Sequence, residues 1–260
     1  MCSPELLRGL RDLQEKLDTY ATIHLNQYWG EVESMKKTYG LLPTDYIDKQ
    51  GFLTDRLVAA HCRCMTTGEE QTLGKRGVSV SYNARVAAQT GLCPNIQHLE
   101  ESGCRIVIGS DEFTEDMVDV LRWAVYLERV RRQDGNNPQP EDAIRWGTAS
   151  GYEALGIADG GSLEAGNKAD LMVVNTAQAH FVPFIRVVPA FVHNGQPKDI
   201  ESVMVDGRWV MHDRKVLTLD EEAVIRDAAR VGRALWLKIV RDNPGITPPP
   251  GLDIREEAGL

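Results

Sequence analysis

The chain has 260 residues, 42% of them hydrophobic, and its 38 acidic and 29 basic residues give a formal net charge of -9. A hydrophobic fraction of this size supports a folded core and argues against a disordered chain. The acidic balance, with no basic stripe to neutralise phosphates, excludes a nucleic-acid partner held by phosphate contacts.

No apolar run approaches the length that spans a bilayer, which excludes a membrane partner. The charged N-terminus also lacks the apolar centre of a signal peptide. The five cysteines are an odd number and do not suggest a disulfide framework. These features predict a cytoplasmic protein with free thiols.

The first half of the chain alternates helical and strand-like patterns. Helices are predicted over residues 4–18, 31–40, 43–51, 94–103 and 114–135, and strands over residues 20–25, 55–62, 77–83 and 104–111. Because strands separated by helices pair in parallel, this order predicts an α/β fold built of βα units. Four such strands fit half of a (β/α)8 barrel, or part of an open doubly wound sheet.

The pattern changes after a predicted helix over residues 140–157. Residues 161–175 and 200–217 have the pattern of antiparallel strands, and the Asp206-Gly207 pair is a strong hairpin signal. A small β portion is therefore expected downstream of the α/β unit.

A C-terminal helix is predicted over residues 218–242, where Thr218 and Glu221 have the spacing of a capping box. The tail beyond it is Pro-rich and then charged, and is predicted to be extended. The predicted domains are residues 1–158, 159–217 and 218–260.

Three of the four strands of the α/β unit end on titratable residues: His24, His61 and Asp111. Function in parallel α/β folds sits at the carboxyl ends of the strands, so these side chains are expected at one edge of the sheet. Two imidazoles and a carboxylate suit zinc or iron, and a carboxylate can also act as a general base. A divalent metal, zinc or alternatively iron, is therefore predicted at this edge.

Each of these residues also has a structural alternative. Either histidine could be a buried, hydrogen-bonded ring, and Asp111 could cap the helix that follows it. Cys62 and Cys64, beside His61, offer a second metal interpretation. A C-x-C pair is a poor zinc spacing without a second pair nearby, which disfavours that interpretation.

Several segments together resemble the amidohydrolase superfamily. They are TIHLNQYWGEVESMKKTYGLLPTDYIDKQGFLTDRLVAAHC, IVIGSD, GSLEAGNKADLMVV and VMVDGRWVMHDRKVL. The resemblance runs from Ser3 to about Arg241, and GSLEAGNKADL is its most specific signal. The branch that it resembles contains chlorohydrolases and guanine, cytosine and S-adenosylhomocysteine deaminase-like members.

The resemblance implies the C-terminal part of a (β/α)8 TIM barrel, then a small β-sandwich portion and a C-terminal helix. It assigns His24 to metal binding, His61 to binding or polarising the substrate, and Asp111 to metal binding and proton transfer. The implied chemistry is attack of a metal-activated water on an sp² carbon, with loss of an amine, ammonia or halide.

The His-x-His pair that the family carries after its first barrel strand does not occur in these 260 residues. The resemblance therefore implies that the chain corresponds to the C-terminal part of a longer protein. A catalytic zinc normally keeps three protein ligands plus water. Because only His24 and Asp111 are evident, weak metal binding is expected of this chain alone.

Many deaminase-like members of the family carry a glutamate three residues after the histidine that corresponds to His24, where this chain has Gln27. Glutamine can hydrogen-bond to a substrate but cannot shuttle a proton. This argues against ordinary purine or cytosine deamination and leaves open other C–N hydrolysis. Asn83 and Arg85 are further candidates for substrate binding, and Arg85 could instead be a solvated loop residue.

The sequence thus predicts a metal-dependent hydrolase that acts on a non-peptide C–N bond of a small molecule. The alternative is a truncated, non-catalytic paralogue that serves as a partner or scaffold. Because a half barrel exposes a broken sheet edge, a homo-oligomer or pairing with a separate N-terminal piece is expected. An unrelated open sheet binding a phosphorylated ligand is a third option, which no glycine-rich phosphate loop supports.

Overall fold

The structure is a computed structural model that describes residues 2–112 and 114–248. Its larger part is a four-stranded parallel sheet in the order β1-β2-β3-β4. The strands are β1 (Ala21–Leu25), β2 (Leu57–His61), β3 (Ser79–Tyr82) and β4 (Arg105–Ile108). The helices of this part are α1 (Pro4–Leu17), α2 (Trp29–Tyr39), α3 (Pro43–Lys49), α4 (Thr67–Lys75), α5 (Ala84–Thr90), α6 (Ile96–Glu101), α7 (Met117–Arg132), α8 (Pro140–Gly147) and α9 (Ala149–Ala154).

The parallel βα order is confirmed, and the burial of the strands explains it. The inner strands β2 and β3 are buried along most of their length, as strands covered on both faces should be. On β1, Thr22 and His24 are exposed while Leu25 is buried. This strand therefore presents a polar face next to an apolar one.

Several helical boundaries differ from the sequence prediction. The predicted helix over residues 140–157 is two helices, because the backbone at Thr148 (φ -131°, ψ -98°) leaves the helical region. The strand predicted to end at Asp111 ends at Ile108, so Asp111 lies in the following loop. The alternative role of Asp111 as a helix cap is wrong. Asp116 caps α7 by accepting from the backbone N–H groups of Val118 and Asp119.

The second sheet is antiparallel, in the order β5-β6-β7-β8. Its elements are β5 (Leu171–Val174), α10 (Val187–Asn194), β6 (Ile200–Val205), β7 (Arg208–His212) and β8 (Lys215–Val216). The predicted hairpin at Asp206-Gly207 is confirmed, and both residues have the positive φ that such a turn requires (48° and 73°). Within the described residues this part is a single sheet, so the second layer of a β-sandwich stays a prediction.

The last helix of the described residues, α11 (Glu221–Asp242), is also the longest among them, and it contains no buried residue. The predicted capping box of Thr218 and Glu221 is wrong. The helix starts two residues further on, where Asp220 Oδ1 accepts from the backbone N–H of Ala223 at 2.9 Å. Residues 249–260 of the predicted extended tail lie outside the described residues.

All five cysteines are free thiols, as predicted, and Cys62, Cys64 and Cys104 are buried. Across residues 2–112 and 114–248, no helix combines the length and the apolar character needed to span a membrane. The predicted domain boundaries and the cytoplasmic location remain predictions.

Candidate active site

His24 and His61 lie on neighbouring strands at the carboxyl edge of the parallel sheet. Leu25 is in register with His61, which places the two histidines one residue apart across the β1-β2 pair. Their ring centroids are 5.1 Å apart, with an angle of 52° between the ring planes. The His61 side chain is only 1% exposed, whereas His24 is exposed. The two imidazoles therefore meet at one point, and one of them is open to solvent.

Asp111 joins the two histidines from the loop after β4. Its Oδ2 lies 3.7 Å from His61 Nδ1 and accepts a hydrogen bond from Asn83 Nδ2 at 3.2 Å. Asn83 Oδ1 in turn accepts from the hydroxyl of Ser81 at 2.9 Å. The structure thus brings His24, His61 and Asp111 together, and it places Asn83 as a hydrogen-bond partner of Asp111.

The backbone at this edge is unusual in conformation. Four residues other than glycine have positive φ here: Asn26 (51°), His61 (76°), Cys62 (49°) and Asp111 (60°). Such residues persist only where the surrounding structure holds them, and they cluster at functional sites. The backbone therefore has a positive φ within three residues of the ends of β1, β2 and β4, the strands that lead to His24, His61 and Asp111.

A buried polar network connects the loops after β1 and β2. Asn26 is fully buried, and its Nδ2 donates to Cys64 O at 2.9 Å and to Glu69 Oε1 at 3.1 Å. Its Oδ1 accepts from Thr44 Oγ1 at 3.3 Å, and its backbone carbonyl accepts from the N–H groups of Arg63 and Cys64. Because these hydrogen bonds are buried, they hold the loop after β1 and the loop after β2 in a fixed position relative to each other.

Arg63 is a member of the site that the sequence reasoning missed. Its Nη2 lies 3.0 Å from His61 Nδ1, and its Nη1 donates to Thr90 Oγ1 at 3.0 Å. Burial, followed by the Arg63 charge, lowers the pKa of His61 to about 4 against the opposing effect of Asp111. His61 is therefore a neutral imidazole at neutral pH.

Asp111 is ionised for a different reason. Burial acts to raise the pKa of its carboxyl, but the backbone N–H of Glu112 and the amide of Asn83 outweigh burial and lower it. The charge of Arg63 acts in the same direction. A neutral imidazole thus lies beside a carboxylate, and the carboxylate is the group of the two that can accept a proton.

A cavity of about 500 Å³ opens beside the outer edge of β1. His24, Gln27 and Glu31 contribute polar groups to its lining, and the remainder is largely apolar. The backbone N–H of Gln27 donates to Glu31 Oε2 at 2.8 Å. Gln27 therefore shares a cavity with His24, and Glu31 adds a carboxylate that the sequence reasoning did not single out.

Arg85 lies in the first turn of α5, and its guanidinium is directed at α7. Its Nε pairs with Asp119 Oδ2 at 3.1 Å, and the guanidinium carbon lies 5.6 Å from the ring centre of Trp123. Both contacts are with residues of α7, and neither connects Arg85 to His24, His61 or Asp111.

The imidazole and carboxylate groups at this edge suit a divalent metal, but there are too few of them to form a complete metal site. Within the described ranges, no group of three or more His, Cys, Asp or Glu side chains is arranged to hold a metal ion. His24 and Asp111 supply two donors, and His61 Nδ1 faces the Arg63 guanidinium. A catalytic zinc normally has three protein ligands.

Comparison with known proteins identifies the family of this chain. The sequence profile of the amidohydrolase family matches residues 1–210. This chain belongs to the amidohydrolase family. It is 32% identical over 241 residues to a 5-methylthioadenosine/S-adenosylhomocysteine deaminase of Desulforudis audaxviator, covering 90% of this chain and 56% of that one. It is 31% identical to a 5'-deoxyadenosine deaminase of Methanosarcina barkeri, covering 92% and 56%.

Solved amidohydrolase structures share the fold. An adenosine deaminase from Xanthomonas campestris with bound zinc superposes with a TM-score of 0.84 at 24% identity, covering 90% of this chain and 55% of that one. The zinc-bound atrazine chlorohydrolase of Arthrobacter aurescens TC1 gives 0.77 at 21% identity, covering 88% and 52%. At these identities the likeness shows the α/β fold alone. The chain spans about half the length of the curated relatives that it matches.

Proposed function

We propose that this chain contributes His24, His61 and Asp111 to the active site of a hydrolase that cleaves a non-peptide C–N bond of a small molecule. The observation that carries the proposal is the convergence of these side chains at the carboxyl edge of the parallel sheet in a member of the amidohydrolase family. Ligands of parallel α/β folds bind at this edge.

The roles follow from the protonation states. Asp111, whose pKa is lowered, accepts a proton from the attacking water and returns it to the leaving nitrogen. His61, neutral and buried, donates a hydrogen bond to the negative charge that develops on the substrate. Asn83 holds the Asp111 carboxylate rather than the substrate, because its amide is already bonded to Asp111 and Ser81.

A divalent cation, for which zinc is the first candidate, supplies a hydroxide near neutral pH when it is bound in such a site. Support comes from the zinc in the two solved amidohydrolase structures described above. His24 and Asp111 are the residues of this chain that would hold it. Since two donors are too few for tight binding, metal analysis of the purified chain after dialysis is expected to show no stoichiometric ion.

The substrate class is suggested by the relatives, which are named as deaminases of 5-methylthioadenosine, S-adenosylhomocysteine and 5'-deoxyadenosine, all of which contain an adenine ring. Gln27 offers only hydrogen bonds to such a ring. The carboxylate that lines the same cavity belongs to Glu31, four residues further along the chain. Deamination would therefore need a proton carrier other than residue 27.

The test is an assay of ammonia release from 5'-deoxyadenosine, 5'-methylthioadenosine and S-adenosylhomocysteine in the presence of zinc. Asp111→Asn is expected to lower turnover at least about 100-fold, as for loss of a proton-transfer group. His61→Asn is expected to lower it by about the same factor, as for loss of a donor to the developing negative charge. Arg85→Gln is expected to retain activity, because Arg85 pairs with Asp119. Full activity of the Asp111→Asn variant would contradict the proposal. Gln27→Glu is expected to raise deamination.

A second candidate function is a non-catalytic partner or scaffold. The shortage of metal donors in the described part of the chain and the glutamine at position 27 favour it. The same assay separates the two functions, because a scaffold would show no turnover of any substrate and no dependence on Asp111.

We also propose that the β1 edge of the parallel sheet is covered in solution, by a second copy of this chain or by a polypeptide with complementary strands. In the described sheet, β1 pairs with β2 alone. An unpaired strand edge leaves backbone N–H and C=O groups free to pair with another strand, and exposed apolar surface favours association. Exposed leucines on α1 add to that surface: Leu6, Leu10, Leu13 and Leu17. Light scattering that shows a stable monomer of the purified chain would contradict self-association.

A further inference from the structure

Arg63 lies two residues beyond the end of β2 and is half-buried. Taking a guanidinium out of water costs free energy unless specific groups compensate it. Its Nη1 donates to Thr90 Oγ1, and the Thr90 hydroxyl donates to Val86 O at 2.8 Å, which anchors the group to α5. Its Nε is buried and has no partner among the described residues. The negative charge of Asp111 opposes the effect of burial on Arg63, and Nη2 of Arg63 has one remaining contact among the described residues.

That remaining contact is with His61. A guanidinium has five N–H donors and no acceptor, so an atom in hydrogen-bond contact with it must accept. Arg63 Nη2 lies 3.0 Å from His61 Nδ1. Nδ1 therefore carries no proton, and a neutral imidazole without a proton at Nδ1 carries it at Nε2.

The carboxylate of Asp111 does not reverse this assignment. Its Oδ2 is 3.7 Å from His61 Nδ1, which is beyond hydrogen-bond distance. A proton at Nδ1 would also face the N–H of Arg63. The contact with Arg63 therefore decides the tautomer.

We propose that Arg63 is a positioning residue that fixes His61 as the Nε2–H tautomer. His61 then offers the substrate a hydrogen-bond donor at Nε2 instead of a lone pair for a metal ion or for proton abstraction. The substrate atom opposite His61 must be an acceptor, such as a carbonyl oxygen, an unprotonated ring nitrogen or the oxyanion formed from either. This last consequence rests on the proposed function, whereas the tautomer is a property of the chain itself.

The experiment is a long-range ¹H–¹⁵N correlation spectrum of the full chain labelled with ¹⁵N-histidine, at neutral pH and without substrate. His61 is expected to show an unprotonated Nδ1 and a protonated Nε2, and a His61→Asn variant assigns its signals. Two other histidines serve as internal references of opposite kind. His98 Nδ1 bonds to the Glu70 carboxylate and His180 Nε2 bonds to the Asp199 carboxylate, so they carry protons at Nδ1 and Nε2 respectively.

Arg63→Met and Arg63→Lys form the matched pair of variants. Methionine keeps an unbranched side chain but has no donor, so the single Nε2–H pattern of His61 is expected to be lost. Lysine restores a donor and is expected to restore the pattern. The signals of His98 and His180 are expected to stay unchanged in both variants. Unchanged signals would show that the variants are folded.

Two results overturn the proposal: a protonated Nδ1 on His61 in the unsubstituted chain, or an unchanged Nε2–H pattern in a folded Arg63→Met variant. The first result is measured on the unsubstituted chain, so it tests the proposal even if a variant does not fold. Neither depends on turnover, and failure of the hydrolase assay would leave the tautomer result standing.

Discussion

Gly109, directly after β4, packs against the side chains that orient Asp111. A Cβ at this position would lie 2.5 Å from Asn83 Oδ1 and 2.6 Å from Ser81 Oγ. Gly109→Ala must therefore displace Asn83 and disturb its hydrogen bond to Asp111. We expect a loss of about 1–3 kcal/mol in the free energy of unfolding, as for other overpacked sites, measured by urea denaturation.

The matched control for this substitution is Gly151→Ala. Gly151 lies within α9, where a Cβ meets nothing within 4 Å. Alanine is favoured over glycine in a helix by about 1 kcal/mol, so this variant is expected to be at least as stable as the parent chain. Equal stability of the two variants would show that Asn83 and Ser81 adjust freely to the added methyl group.

For single residues, the sequence is enough to predict at which end of a strand a side chain lies. His24 and His61 could be placed at one edge because strand ends of a parallel sheet coincide. The contact of Arg63 with His61 could not be predicted, since it depends on a side-chain conformation and on the positive φ of His61. Arg85 shows the same limit, because only the fold reveals that Asp119 is its partner.

The start of α11 provides a test at the scale of an element. Asp220 Oδ1 accepts from Ala223 N, whereas Thr218 lies outside the helix. Asp220→Ala is therefore expected to weaken the first turn by about 1 kcal/mol, and Thr218→Ala to have little effect. Hydrogen exchange of the amides at residues 221–225 measures the difference. Equal protection in the two variants would contradict the assignment of Asp220 as the cap.

Helices of this chain were predictable where apolar residues recur with a helical period, and were missed where they do not. The α4 helix contains one buried leucine, Leu73, and its period is weak. Its start nevertheless carries a complete capping box, in which Thr66 Oγ1 accepts from Glu69 N and Glu69 Oε2 accepts from Thr66 N. That T-x-x-E spacing is the signal that could have revealed α4.

At the scale of the whole molecule, the sequence predicts the order of elements better than the surfaces that they leave open. The alternation of strands and helices is enough to predict parallel pairing. The cavity beside β1 depends on the absence of a neighbouring strand in the described sheet and on how α2 and α3 pack, which no local pattern encodes. For this reason Glu31, which lines the cavity, had no sequence signal.

The stability of the molecule is expected to depend on pH through Glu100, which connects α6 to α8. Its Oε1 accepts from Trp146 Nε1 at 3.0 Å and lies 3.5 Å from Arg145 Nη2. Burial raises the pKa of this carboxyl above its usual 4.5, although Trp146 and Arg145 oppose the shift. A raised carboxyl pKa contributes stability below the unfolded value, and that contribution is lost as the pH rises through the folded value.

Glu100→Gln removes this ionisation and keeps an oxygen that can accept from Trp146. The variant is therefore expected to gain stability relative to the parent chain as the pH rises from about 4 to 7, with the smallest difference at the acidic end. Urea denaturation across this pH range measures it. Glu101→Gln is the control, because it removes the same charge from an exposed position on the same helix. If both variants show the same pH dependence, net charge and not the burial of Glu100 is responsible.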